Sequence, residues 1–205
     1  MGHKYQELAF TDRVKAEQLA SGSRTNYARR EGGDQDFNDR LGPSEADFIG
    51  RRDSFYMATV GETGWPYIQH RGGPEGFVRI LDEKTLGFAD FAGNRQYISV
   101  GNLAGDDRVS LFFMDYANRT RLKLLGRART IDRNDVDVID RLMLSGYKAR
   151  VERGLLITVE AFDWNCPQHI SQRFSAADVE TAVAPLKKRL AELEALLGAT
   201  PTGRR

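Results

Sequence analysis

RVSLFFMDYANRTRLKLLGRARTI, residues 108–131, holds two β-rich runs, RVSLFFMDY and RLKLLGRARTI, separated only by ANRT. Branched and aromatic runs joined by a short polar turn read as neighbouring antiparallel strands. The same pattern extends outward in both directions. Upstream stand SFYMATV (54–60), closed by the turn GETG, and WPYIQHRGG (65–73), with Pro66 near its start, where a strand tolerates it. GFVRILD (76–82) and TLGFADF (85–91) follow, with EK between them. Downstream, GLLITVEAFDW (154–164) is the last run. Seven strands with mostly short connections predict a mainly β fold with flanking helices, an antiparallel barrel or sandwich.

Helices are expected around this series. Residues 8–20 suit a short helix with Leu8, Val14 and Leu19 facing inward, and 21–40 read as an irregular arm. A second helix is expected after Gly42-Pro43, capped by Ser44 and with Phe48 and Ile49 on its apolar face. Residues 93–107 predict a short helix between the fourth and fifth strands. In 136–146, Val136, Ile139, Leu142 and Met143 fall at helical spacing. At the C-terminus Val179, Val183, Leu186, Leu190, Leu193 and Leu197 alternate spacings of four and three, an amphipathic helix with a coiled-coil seam. Ser175 and Asp178 suit its N-terminal cap, and Pro185 is expected to kink it or to start a new helix. The seam is expected to lie on the chain's own barrel, with an inter-subunit contact as the alternative. The division expected is 1–43 as an N-terminal arm with a short helix, 44–174 as the barrel domain and 175–205 as the C-terminal helix and tail.

The 205 residues carry 30 basic and 29 acidic side chains, a net charge of +1. Acids and bases interleave, so no basic face for nucleic acid is expected. The basic residues are uneven in kind, with 23 Arg against 7 Lys. Arginine offers a fixed, bidentate fork to phosphate and carboxylate, which lysine does not. No apolar run reaches the length of a membrane span, and the polar opening residues lead us to expect no signal peptide. One cysteine, Cys166, excludes an internal disulfide and fits a reducing cytoplasm. The three histidines, 3, 70 and 169, lack metal-binding spacing, so no metal site is expected.

Three arginine-bearing places stand out. Arg71 ends a strand beside Gly72 and Gly73, where a ligand can approach the backbone closely. Arg95 lies in GNRQ, at the expected start of the short helix, where free N–H groups attract phosphate. Arg119 and Arg121 flank a turn. Together they suit a phosphorylated ligand of low charge.

GWPYIQHRGG, GFVRILD, DFAGNRQYISVGNL, LFFMDY, RLKLLGRAR and the late FDWNCPQHISQRF, in this order from about Ser54 to Arg173, resemble the FMN-binding split β-barrel of the pyridoxamine 5′-phosphate oxidase-like superfamily. The resemblance implies a Greek-key split barrel and a homodimer with FMN in clefts at the subunit interface. It implies that Gln69, His70, Arg71 and Gly72, with Asp90, Phe91, Asn94, Arg95 and Gln96, hold the phosphate and ribityl chain. Arg119, Thr120, Arg121, Trp164 and Arg173 would close the site from the other subunit. The chain departs from the vitamin B6 enzymes at two places. GNRQ replaces an SRK-like phosphate motif, and CPQHISQRF replaces the R-x-H-D-R substrate segment. An FMN-dependent oxidoreductase acting on a small molecule is therefore expected, without pyridoxamine phosphate as substrate. The alternative is a non-catalytic flavin, deazaflavin or haem-binding barrel.

No catalytic acid or base is singled out. Histidine is the side chain type suited to proton transfer near neutral pH, but His70 is expected to pack against or bond the cofactor. His169 suits either the substrate side of the flavin or a turn after Pro167. Cys166 is expected to be an inert thiol. Asp90 and Asp115, at strand ends, are expected to be turn formers.

Overall fold

The computed structural model describes residues 3–29, 38–164 and 167–198. Its seven strands are β1 (Ser54–Val60), β2 (Pro66–Gly72), β3 (Arg79–Asp82), β4 (Thr85–Phe91), β5 (Arg108–Asp115), β6 (Thr120–Asp132) and β7 (Val151–Trp164). They form one antiparallel sheet in the order β2-β1-β5-β6-β7-β4-β3. Alternation sets the inner face. Phe55 and Met57 of β1 are buried, as are Val109, Leu111 and Phe113 of β5 and Leu122 and Leu124 of β6.

The sheet curls until its two ends meet. Strands β1 and β4 are far apart in the sheet order, yet the Phe55 and Phe88 rings are 5.4 Å apart, edge to face. Phe113 and Phe77 flank Phe55 at 4.9 and 5.8 Å. Residues of all these strands share one core. Phe77 and Val78 enter it from the loop before β3, so the strand expected from Gly76 begins only at Arg79.

The helices differ from the sequence expectation in informative ways. Residues 8–20 belong to two helices, α1 (Lys4–Ala9) and α2 (Asp12–Ala20), because Thr11 caps the second through Val14 N–H at 3.4 Å. Leu8, Val14 and Leu19 are exposed rather than inward. Polar contacts help to hold the arm: His3 Nε2 lies 3.3 Å from Asp163, and the Lys123 ammonium sits 4.8 Å from the Tyr5 ring. The irregular arm contains a short helix, α3 (Arg24–Ala28).

Helix α4 (Pro43–Gly50) starts one residue earlier than expected, with Gly42 as its N-cap and Pro43 at its first position. Its cap comes from Glu45, not Ser44. One Glu45 oxygen accepts from the Gly42 N–H at 3.0 Å and the other from Trp164 Nε1 at 2.8 Å. Glu45→Ala should therefore cost about 1–2 kcal/mol in urea unfolding, since the helix loses its cap and the half-buried Trp164 indole loses its acceptor together. A loss below 0.5 kcal/mol, roughly the scale of a neutral surface change, would contradict this linkage.

Helix α5 (Ile98–Gly105) occupies the β4–β5 crossover and α6 (Val136–Leu142) the β6–β7 connection. In α6, Ile139 and Leu142 are buried, whereas Val136 is exposed. Helix α7 (Ala176–Gly198) runs unbroken through Pro185, so no second helix starts there. Ser175 and Asp178 form the expected cap, bonding each other's backbone N–H at 2.8 and 3.1 Å. Among the described residues no helix is long and apolar enough to cross a membrane. Cys166 lies outside the described residues.

Candidate functional site

Closing the sheet leaves a seam between its two ends, and the seam is polar. Arg71 on β2 reaches across it to Asp90 on β4, Nη1 to Oδ1 at 2.7 Å. Both side chains are about one-tenth exposed. Arg153 of β7, in register with Asp90, approaches the other carboxylate oxygen at 3.4 Å. Burial pushes the Asp90 carboxyl above its ordinary range, against the pull of Arg71 and Arg153, and the nearby Glu152 adds to the rise. Asp90 is thus a buried ion-pair partner rather than the turn former expected.

Above this pair lies a cleft of about 140 Å³. Gln69 and Arg71 supply one wall, Asp90, Phe91, Asn94 and Arg95 another, and Tyr97, Ser99 and Glu152 the rest. Ser99, almost fully buried, donates its hydroxyl to Gln69 Oε1 at 2.9 Å and fixes that amide. Arg95 does not sit at the helix start as expected. Helix α5 begins at Ile98, and Arg95 and Tyr97 precede it with left-handed φ of 60° and 54°. This turn aims Arg95 Nε at the Tyr97 hydroxyl, 3.1 Å away, and that hydroxyl donates to Glu152 at 3.3 Å. The Arg153 guanidinium lies 5.0 Å from the Tyr97 ring centre.

Three guanidiniums therefore face two carboxylates. The buried Nε atoms of Arg71 and Arg153 have no hydrogen-bond partner. The cleft itself is lined by Arg71 and Arg95, from two different elements, and guanidiniums so placed suit an anionic ligand.

Six of the expected residues thus share one cleft: Gln69, Arg71, Asp90, Phe91, Asn94 and Arg95. His70 and Gly72 line a neighbouring recess with Arg71, Phe77 and Phe88. His70 is exposed and packs edge to face on Tyr56, ring centres 5.6 Å apart. Gln96 is exposed, with its N–H bonded to Asn94 Oδ1 at 3.2 Å.

The remaining expected residues lie elsewhere in the chain. Arg119 has φ 53° in the β5–β6 turn, where Thr120 Oγ1 donates to the Asn118 carbonyl at 3.1 Å. Arg121 lies over the Phe112 ring. Trp164 packs edge to face on Phe48 at 4.8 Å. Arg173 covers Tyr116 and lines a larger cavity that also holds Asp115. There Asp115 does form the turn, accepting from Asn118 N–H at 2.9 Å, and pairs with Arg52 at 3.1 Å. Burial pushes its carboxyl up, but the bonds from Asn118 and Arg52 outweigh this and hold it below the ordinary range. His169 is exposed with φ 62°, in a turn closed from Ile170 N–H to the Pro167 carbonyl.

The sequence reading missed Tyr97, Ser99, Glu152 and Arg153. Tyr97 and Ser99 stood within the quoted motif. Glu152 and Arg153 fell just before the last strand as read from Gly154, and only the β4–β7 register brings them to Asp90.

Residues 42–161 match the model of a protein family described as pyridoxamine 5′-phosphate oxidase. No curated protein matches the chain. Among solved structures, HupZ of Group A Streptococcus is 17% identical with a TM-score of 0.50, the match covering 65% of this chain and 99% of that one. A putative pyridoxamine 5′-phosphate oxidase from Lactobacillus delbrueckii is 18% identical over 61% of this chain and 94% of that one, with a TM-score of 0.47. An FMN-binding protein from Syntrophomonas wolfei is 10% identical over 72% and 97%, with a TM-score of 0.45.

Proposed function

The chain belongs to the pyridoxamine 5′-phosphate oxidase family, and from that premise we propose that it is a cytoplasmic flavoprotein that holds FMN and oxidises or reduces a small molecule as a homodimer. The observation that supports this reading is the donor set of the cleft. Arg71 and Arg95 line it from β2 and the β4–α5 loop, with Arg153 of β7 beside them against Asp90. That set fits the phosphate of FMN.

When bound, FMN supplies the electron or hydride transfer. The chain's own residues do the rest. Arg71 and Arg95 bind the phosphate, and Asp90 holds Arg71 across the seam. Ser99 and Gln69 present a fixed amide to the ribityl hydroxyls. Arg119, Thr120, Arg121, Trp164 and Arg173 lie away from this cleft, so in this reading any contact they make with flavin comes from the second subunit.

The test is the ligand of the purified protein. Flavin absorbance, with FMN identified by mass after release, is the expected result. A colourless protein that takes up no FMN would overturn the reading, and a Soret band would replace flavin with haem. Arg95→Ala should weaken FMN binding by about 1.5–3 kcal/mol, the scale of a charge-assisted bond. Its melting temperature should not move, because Arg95 is exposed. Unchanged affinity by fluorescence titration would remove Arg95 from the phosphate site.

A further inference from the structure

Helix α7 carries an apolar seam that the other described residues leave largely exposed. Val179, Leu186, Leu190, Leu193 and Leu197 are all exposed, from 42% to 76%, and Val183 is half-buried. The seam therefore does not lie on the chain's own barrel, as the sequence reading expected. Its 23 residues extend roughly 34 Å at 1.5 Å per residue. A helix with no tertiary cover is marginal in water, so this one needs a partner for its apolar stripe.

The charges beside the seam select that partner. The spacing places Val179, Leu186 and Leu193 at heptad positions d, and Val183, Leu190 and Leu197 at positions a. Glu180, Lys187 and Glu194 then occupy the e positions, and Arg189 a g position. Two copies running antiparallel would set Glu180 against Glu194, Lys187 against Lys187 and Arg189 against Arg189, all like charges. Two copies running parallel and in register would set Arg189 of each against Glu194 of the other, five residues on, and no like charges across the seam. Pro185 falls at position c, on the outer face, where a missing N–H does not disturb the seam. The ion pairs within the helix, Lys187 to Glu180 at 2.9 Å and Arg189 to Glu192 at 3.0 Å, are exposed and weakly held.

We propose that α7 pairs with α7 of a second copy of this chain as a parallel, in-register two-stranded coiled coil. Pairing does not depend on flavin binding, and the loss of either leaves the other measurable by absorbance or by cross-linking.

Single-cysteine cross-linking of the full chain tests it. Cys166 is the chain's only cysteine, so Cys166→Ser provides a clean background. In that background Leu190→Cys, at a seam position, should oxidise to a disulfide-linked dimer at least tenfold faster than Lys188→Cys on the outer face. Adding Arg189→Glu should slow the Leu190→Cys reaction at least fivefold, and further adding Glu194→Arg should restore it. Equal rates at 188 and 190, or a double charge reversal as slow as the single one, would overturn the proposal. So would a mixture of Val183→Cys and Leu193→Cys proteins that links to each other but not to itself, since that is the antiparallel pattern. Circular dichroism on each variant confirms that α7 remains helical.

Discussion

Arg71→Ala is expected to abolish FMN retention and to lower folding stability by about 3 kcal/mol at neutral pH, the scale for removing one partner of a buried ion pair. The reason for the second effect is Asp90. Its carboxylate is buried against the seam, and Arg71 is its 2.7 Å partner. Arg153 approaches only to 3.4 Å, with Glu152 beside it. Adding Asp90→Asn should return most of the stability, because the buried charge is gone, and none of the flavin affinity, because the phosphate donor is still missing.

The pH dependence separates these roles further. Burial already raises the folded-state pKa of Asp90 above its unfolded value of 3.8. Between those two values the folded state binds more protons, so this group's contribution to stability falls as pH rises through the window and is constant above it. Removing Arg71 removes a lowering influence and moves the upper end of the window higher. Urea unfolding of Arg71→Ala should therefore show stability recovering on acidification to a greater extent than in the native chain. If the Arg71→Ala deficit is the same at all pH values, or Asp90→Asn fails to relieve it, Asp90 is not the group left stranded.

The strands were legible because alternation and turns are local. Ser54–Val60, Thr85–Phe91 and the 108–132 hairpin emerge where branched and aromatic runs stand between polar turns. The cleft was legible only in part, for a reason of distance along the chain. Arg71 and Arg95 stood beside glycine and turn signals, but Arg153 is 63 residues from Asp90 in sequence and reaches it only through strand pairing. Periodicity told that α7 has a seam, yet could not tell which surface covers it, because a stripe of leucines is the same on either. The N-terminal arm misled for another reason. Leu8, Val14 and Leu19 are spaced six and five residues apart, which is no helical repeat, and the break at Thr11 puts them on two short helices where all three are exposed.

Gly126→Ala should destabilise the protein by about 3 kcal/mol, the upper end of the cost of overpacking a core, although it adds a single methyl group. Gly126 occupies an inward position of β6, between the buried Leu124 and Ala128. There the β6–β7 register shifts, since Leu125 faces Ala161 but Gly126 faces Val159, leaving one extra residue on β7. The bulge presses the neighbouring strand onto the glycine. A Cβ at 126 would stand 2.6 Å from the Thr158 carbonyl oxygen and 2.8 Å from Ile157 Cγ2. The first of these atoms is backbone, which no side-chain rotation can move. β6 is also paired on both sides, so a shift that relieves the contact disturbs β5 or β7. In a chain of this length the loss corresponds to a melting temperature lower by roughly 6–12 °C. Gly101 provides the contrast, since it lies within α5 with nothing within 4 Å of its would-be Cβ. Gly101→Ala should raise stability by about 0.5–1 kcal/mol through helix propensity alone. The two substitutions have the same chemistry and opposite expected signs, so equal melting temperatures for both would show that the bulge does not hold the register described.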